Sequence, residues 1–291
     1  MNSKKEKTII VLLLGFLFLS GWTPVTAASE KITINKANVQ QGGLIKVTVP
    51  YDLKEGQVLF AGNDYDFKTE KNKAVTLVPV SYWLETKRYK LSVVNKEKQV
   101  LKKWSINVQD GDFDKSYLKV DKENQEKVKP TDPKRQKRRK QDKKLVYQAR
   151  IASSSERLWT KSFIRPIAEG RVSTGFGATR YHNGNLANRH SGIDIAVPAG
   201  TPIKATNAGK VVLADDLLAT GNTIISDHGW DVFSSYLHCS ELKVKRGDKV
   251  EQGAVIGLVG DTGFSTGSHL HWSMSIGRIF INPADFIRLK L

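Results

Sequence analysis

Short runs of β-branched and aromatic residues, closed at short intervals by glycine or asparagine, fill two long stretches of this chain and leave little room for helix. From Lys31 to Val108 the runs are Ile32 with Ile34, Leu44 to Val49, Val58 to Phe60, Ala74 to Val78, Tyr89 to Val94 and Trp104 to Val108. Gly42-Gly43, Gly56, Asn63-Asp64 and Asn95-Lys96 fall between them. Several short alternating strands with this spacing predict a small antiparallel sandwich of immunoglobulin-like type over residues 29–110. It holds no histidine and no cluster that looks like a site. It therefore reads as a targeting or spacer module.

The second β-patterned stretch runs from Phe163 to the C-terminus, giving a unit over residues 161–291. One pattern in it echoes itself. Gly200-Thr201-Pro202-Ile203 is followed by Gly209-Lys210-Val211-Val212, and Gly247-Asp248-Lys249-Val250 by Gly253-Ala254-Val255-Ile256-Gly257. Glycines at the corners with apolar alternation between them suit a tightly turned antiparallel sheet.

Residues 111–160 break the pattern. Pro130 and Pro133 precede a dense basic block, Lys134-Arg135-Gln136-Lys137-Arg138-Arg139-Lys140. Like charges repel and little apolar surface is offered for burial, so this linker is expected to be solvated and extended. A short helix is expected only from Leu145 to Leu158. The block contributes to a formal net charge of +17, which favours a polyanionic partner through screened long-range attraction. Charge alone does not choose among nucleic acid, an anionic membrane and anionic wall polymers.

The first residues narrow that choice. Lys4, Lys5 and Lys7 precede an apolar run from Ile9 to Leu19, and Pro24-Val25-Thr26-Ala27-Ala28 follows. That order of basic, apolar and small-residue segments predicts a signal peptide over residues 1–28, cut near Ala27 or Ala28. The apolar run is short for a bilayer span, although an uncleaved anchor is the alternative. Export leaves no role for nucleic acid and points the basic linker at anionic wall polymers or a membrane surface. The single cysteine, Cys239, excludes an intramolecular disulfide framework.

All six histidines lie after residue 180: His182, His190, His228, His238, His269 and His271. His190-Ser-Gly-Ile-Asp194 offers an imidazole and a carboxylate four residues apart. His269-Leu270-His271 offers two imidazoles which, on a strand, share one face while Leu270 takes the other. Such a pair suits two metal ligands, or one ligand beside an acid–base group. Imidazole with carboxylate fits zinc, and three protein ligands leave the fourth position that a catalytic site requires.

The region from about Phe163 to Leu289 resembles the lysostaphin/LytM-type zinc metallopeptidases that cleave peptidoglycan. The matching stretches are Gly175-Phe176-Gly177 with Arg180, His190 to Asp194, Gly221-Asn222, Asp227-His228-Gly229, Tyr236-Leu237-His238 and Thr266-Gly-Ser-His-Leu-His271. The segment from about Lys31 to Val120 also resembles the β-domain that precedes such peptidases in secreted Gram-positive members. The resemblance implies zinc bound by His190, Asp194 and His271, with His269 as catalytic acid–base residue and His238 as its partner. It implies an antiparallel sheet of duplicated-hybrid-motif type with a narrow groove. The implied activity is hydrolysis of peptide bonds in peptidoglycan stem peptides or cross-bridges, with zinc-activated water as nucleophile. Two positions depart from the pattern: Ser268 stands where proline usually precedes His-Leu-His, and Cys239 stands where leucine is commoner. Cys239 is expected to be a small buried hydrophobe and His228 a structural residue. His182 is expected at the surface near the groove. Arg180, Asn183 and Asn222 are expected to fix loops.

Overall fold

A computed structural model describes residues 31–289, so the segment read as a signal peptide lies outside the described residues. Two sheets form the N-terminal unit. One orders the strands Thr33–Ile34, Leu44–Pro50, Lys73–Pro79 and Lys68–Glu70; the other orders Asn38–Gln40, Val100–Gln109, Arg88–Asn95, Gly56–Phe60 and Asn63–Asp66. Their inner faces meet in a core that includes Ile45, Val47, Val49, Val58, Phe60, Leu91 and Ile106. Leu44–Pro50 shows the cause plainly: Ile45, Val47 and Val49 are fully buried while Lys46, Thr48 and Pro50 are half-buried. Each such aliphatic side chain removed from water contributes roughly 1.5–3 kcal/mol.

Asn63-Asp64 does not form the expected turn. The chain reverses two residues earlier, at Ala61-Gly62, where φ is 49° and 79°. Positive φ at both central residues is the hairpin geometry that follows the strands' twist. Asn63–Asp66 then pairs antiparallel with Gly56–Phe60.

The linker is neither extended nor free. Lys115–Leu118 adds a parallel strand to the hairpin Thr179–His182 and Asn185–Arg189. A helix, Lys122–Val128, follows, and a second covers Pro133–Ala149, through the whole basic block. Repulsion yields to local chemistry here. Asp132 accepts a hydrogen bond from the Arg135 amide, Pro133 sits in the first turn, and Lys, Arg and Gln are good helix formers. Arg138 bonds Asp216 at 2.8 Å, and Asp142 accepts from the Leu218 amide. Leu145, Val146 and Ala149 pack on Leu213, Leu217 and Phe233. The helix ends at Ala149, so the expected helix over Leu145 to Leu158 is displaced towards the N-terminus.

In the C-terminal unit a ten-stranded sheet runs Arg171–Thr174, Ile193–Ala196, His269–Ile276, Val232–Leu242, Gly221–Asp227, Gly209–Leu217 and Lys249–Val250. Three further strands, Pro202–Lys204, Val255–Val259 and Ile279–Ile281, pair off this path. Every pairing in it is antiparallel, as the glycine-cornered pattern predicts. Leu270, Trp272, Tyr236, Ile195 and Ile224 fill its core, and Leu44, Val75 and Leu77 of the N-terminal unit join them. Ion pairs Lys68–Asp231 at 2.9 Å and Arg157–Glu70 at 2.5 Å complete the junction.

Candidate metal centre

The two central strands Ile193–Ala196 and His269–Ile276 build the site by register. Asp194 stands opposite His271, and Ala196 opposite His269. Leu270 is fully buried in the core, so its two histidine neighbours share the other face, as period two requires. His190 arrives from the loop before the first strand. Gly192 lets that loop lie against the partner strand, since a Cβ there would meet the Trp272 carbonyl at 2.3 Å.

His190 Nε2, Asp194 Oδ1 and His271 Nδ1 converge. The pairwise distances are 2.9 Å for His190–Asp194, 3.0 Å for His271–Asp194 and 2.8 Å between the two imidazoles. All three side chains are buried, and the three residues form a group able to hold one metal ion. The donor set itself argues for an ion. His190 donates its Nδ1–H to the Gly175 carbonyl at 2.8 Å, leaving Nε2 as a bare lone pair. Two imidazole nitrogens and a carboxylate oxygen this close, in a buried site, are acceptors without enough protons to share. A zinc ion with bonds of about 2.0–2.1 Å reaches all three.

Asp194 is held ionised. Burial by itself would raise its pKa, but the His190 and His271 imidazoles packed against Oδ1 outweigh burial and hold it well below the ordinary carboxylate range. Burial lowers the His271 pKa to about 3, against an opposing contribution from Asp194. The imidazole is therefore neutral, as a ligand must be. Arg180 grips the second carboxylate oxygen, Nη2 to Oδ2 at 2.7 Å. Sequence reasoning placed Arg180 among the loop-fixing residues; the structure places it on the buried carboxylate.

His238 and His269 stand beside this trio, with ring centroids 4.8 Å apart. His269 Nε2 is 3.7 Å from Asp194 Oδ1. His269 donates Nδ1–H to the Gly267 carbonyl at 2.8 Å, and His238 donates Nδ1–H to the Thr262 carbonyl at 2.8 Å. Both therefore carry Nε2 as the basic atom. Burial, with repulsion from His269, lowers the His238 pKa to about 4. His238 has φ 65°, a left-handed kink in strand Val232–Leu242. The kink breaks alternation, so Tyr236 and Cys239 both enter the core while His238 lines the groove. Cys239 is thus the small buried hydrophobe expected, its thiol pushed up to about 12 by burial.

The remaining residues fall as follows. His228 is fully buried, with Nδ1 on the Ala208 carbonyl at 2.7 Å and Nε2 on Ser234 Oγ at 2.8 Å, away from the metal trio. His182 packs against Phe264 at the groove wall, the ring centroids 5.4 Å apart and the planes tilted by 43°. Ser268 substitutes for the absent proline by bonding the Val197 carbonyl at 3.1 Å. Val128 and Arg139, from the two linker helices, also line the groove with His190, His238 and His271. The carbonyls of Gly175, Thr262 and Gly267 that orient the imidazoles left no trace in the sequence beyond their glycine-rich surroundings.

A buried His–Asp–His trio on an antiparallel sheet, flanked by two further imidazoles, defines a metallopeptidase-type domain. Residues 188–283 match Peptidase family M23, and the chain carries a domain of that family, the lysostaphin/LytM type. The peptidoglycan DD-endopeptidase ShyA of Vibrio cholerae is 38% identical over 109 residues, 36% of this chain and 25% of ShyA. The DD-carboxypeptidase/endopeptidase Mpg of Neisseria meningitidis is 36% identical over 122 residues, 42% of this chain and 28% of Mpg. The chain thus spans between a quarter and a third of the length of these relatives. A solved structure of an M23-type peptidase from Pseudomonas aeruginosa superposes with a TM-score of 0.61 at 28% identity, covering 87% of this chain and 96% of that one. That coverage reaches well beyond the matched family segment into the N-terminal half.

Proposed function

We propose that this chain is an exported zinc-dependent endopeptidase that hydrolyses peptide bonds in peptidoglycan stem peptides or cross-bridges. The observation that carries the reading is the convergence of His190 Nε2, Asp194 Oδ1 and His271 Nδ1 beside two imidazoles whose Nε2 atoms are unblocked by their tautomers. Zinc held by the trio would polarise the scissile carbonyl and make a bound water acidic enough to attack near neutral pH. His269 accepts the proton of the attacking water at Nε2 and delivers it to the leaving amine. Its Nδ1–H, tied to Gly267, keeps that nitrogen aimed inward. His238, neutral and tied to Thr262, orients the water by accepting a hydrogen bond at Nε2 rather than donating to an oxyanion. Arg180 acts through Asp194 as a positioning residue.

The relatives' names support peptidoglycan as substrate, and the N-terminal basic–apolar–small segment supports export, with residence in or outside the wall. The nine strands of the N-terminal unit serve as an immunoglobulin-like spacer, and the lysine-rich face of helix Pro133–Ala149 attracts anionic wall polymers or lipid head groups. Metal analysis of the purified chain, turbidity loss on purified walls and mass spectrometry of the released peptides test the reading together. One zinc per chain and new amino termini within stem or bridge peptides are expected. A zinc-loaded chain that releases no peptide from walls of any chemistry would sink it.

A further inference from the structure

A cavity of about 680 Å³ lies between the N-terminal unit and the C-terminal sheet, apart from the metal groove. Arg150, which caps helix Pro133–Ala149, lines it and is only 8% exposed. Its guanidinium donates to Ser235 Oγ at 2.8 Å and lies 4.5 Å from the centre of the Phe280 ring. Its Nε has no partner, and among the described residues no carboxylate pairs with it. Arg138, Arg157 and Arg180, all more exposed to solvent or better matched, each have one. A ring face, a hydroxyl and a helix C-terminus offset part of the cost of burying a cation, but leaving it without a counter-ion is costly. Burial lowers its pKa to about 10, so it keeps its charge near neutrality.

The rest of the cavity is polarised. Lys68 and Asp231 neutralise each other at 2.9 Å. What remains is Asp64 and Asp66 from the N-terminal unit, and Arg150 and Arg278 from the C-terminal side. A simple anion would satisfy the arginines and be repelled by the two aspartates. A ligand with a carboxylate at one end and an ammonium at the other satisfies both walls, and the volume is that of a small-molecule site. We propose that this cavity binds a short peptide or amino acid in its zwitterionic form, with the carboxylate on Arg150 and the ammonium towards Asp64 and Asp66. The proposal does not depend on the activity of the metal groove.

Isothermal titration of the full chain with alanyl-alanine, its C-terminal amide, acetate and inorganic phosphate tests it. The dipeptide binds saturably at one site in the millimolar range or tighter. Amidation of the dipeptide, or Arg150→Met, weakens binding at least about tenfold, the loss of one charge-assisted pair. The double variant D64N/D66N weakens the dipeptide severalfold and, with the repulsion gone, strengthens acetate binding. Arg150→Met retains its metal and unfolds at the same or a higher temperature, because an unpaired buried charge is gone, and Arg150→Lys keeps part of the binding. His271→Ala leaves dipeptide binding intact. Absence of saturable dipeptide binding, phosphate binding as tightly as the dipeptide, or binding lost in His271→Ala and kept in Arg150→Met each overturns the proposal.

Discussion

Arg180 and Asp194 share a 2.7 Å ion pair in which the guanidinium takes Oδ2 and leaves Oδ1 to the two imidazoles. One carboxylate thus faces two ways: outward to a fixed cation, inward to the metal position. The pair keeps the carboxylate from rotating, and a ligand oxygen that cannot rotate is already where the ion needs it.

Arg180→Met is accordingly expected to weaken zinc binding about 10–100-fold, the range for loss of a group that orients a ligand. Chelator competition reads this directly, without reliance on turnover. Arg180→Lys should fall between, since an ammonium supplies charge but not the planar fork. Affinity within twofold of wild type in the methionine variant would show that Arg180 merely fixes its loop.

His269 and His271 sit two residues apart on one strand face and separate cleanly by assay. His271→Ala removes a donor of the trio and should lose bound zinc and turnover together. His269→Ala leaves the trio intact and should keep one zinc per chain while turnover falls by about 10²–10⁴. Zinc lost equally in both would assign His269 to the ion as well.

Strand periodicity and the four-residue spacing of His190 and Asp194 are local signals that made the candidate ligands legible, while the choice of His271 over His269 came only from the family resemblance. The N-terminal strands that carry β-branched runs were legible for the same reason. Asn63–Asp66 was not, because its polar residues resemble a turn and only the positive φ of Ala61 and Gly62 relocates the reversal. The basic helix was hidden by its charge. Its stability comes from Asp132, Asp142 and Asp216, two of them distant or unremarkable in sequence, and from a short apolar patch at its end. Arg180 was hidden because nothing local says that residue 180 reaches residue 194.

His228 gives the fold an acid-side weakness. Burial lowers its pKa to about 4, while the unfolded chain titrates near the ordinary 6.5. The unfolded state therefore binds the proton first as pH falls. Stability is full above 6.5, declines between 6.5 and 4, and is lower by about 3 kcal/mol below that window. Chemical denaturation at pH 7 and pH 4 should show a smaller drop in His228→Gln than in wild type, since glutamine cannot charge. Equal drops would leave the loss to other groups.

Five lysines of the basic helix, Lys134, Lys137, Lys140, Lys143 and Lys144, are exposed. Deleting the block would uncover Leu213, Leu217 and Phe233, so replacing the charges is the cleaner test. Glutamine at all five should reduce retention on anionic walls severalfold at low salt, with little difference from wild type at about 1 M, where screening acts within about 3 Å. Hydrolysis of a small soluble peptide should not change. Retention independent of both salt and these lysines would move wall attachment elsewhere.

The groove holds about 160 Å³ with Val128 and Arg139 in its lining, below the roughly 300 Å³ at which ligand pockets begin. A peptide is therefore expected to enter more readily once the linker gives way. Helix Lys122–Val128 is the element able to do so, since it buries no residue. Just before it, Asn183 and Val120 exchange two hydrogen bonds of 2.9 Å, Nδ2 to the carbonyl and amide to Oδ1. Asn183 has φ 49°, so glycine rather than alanine removes both bonds without straining the backbone. Two bonds at about 1 kcal/mol each set the upper bound for Asn183→Gly: up to about thirtyfold higher kcat/KM on wall peptides, zinc content unchanged, and faster proteolysis between residues 119 and 132. Faster nicking with no gain in kcat/KM would show that the linker lines the groove without limiting entry.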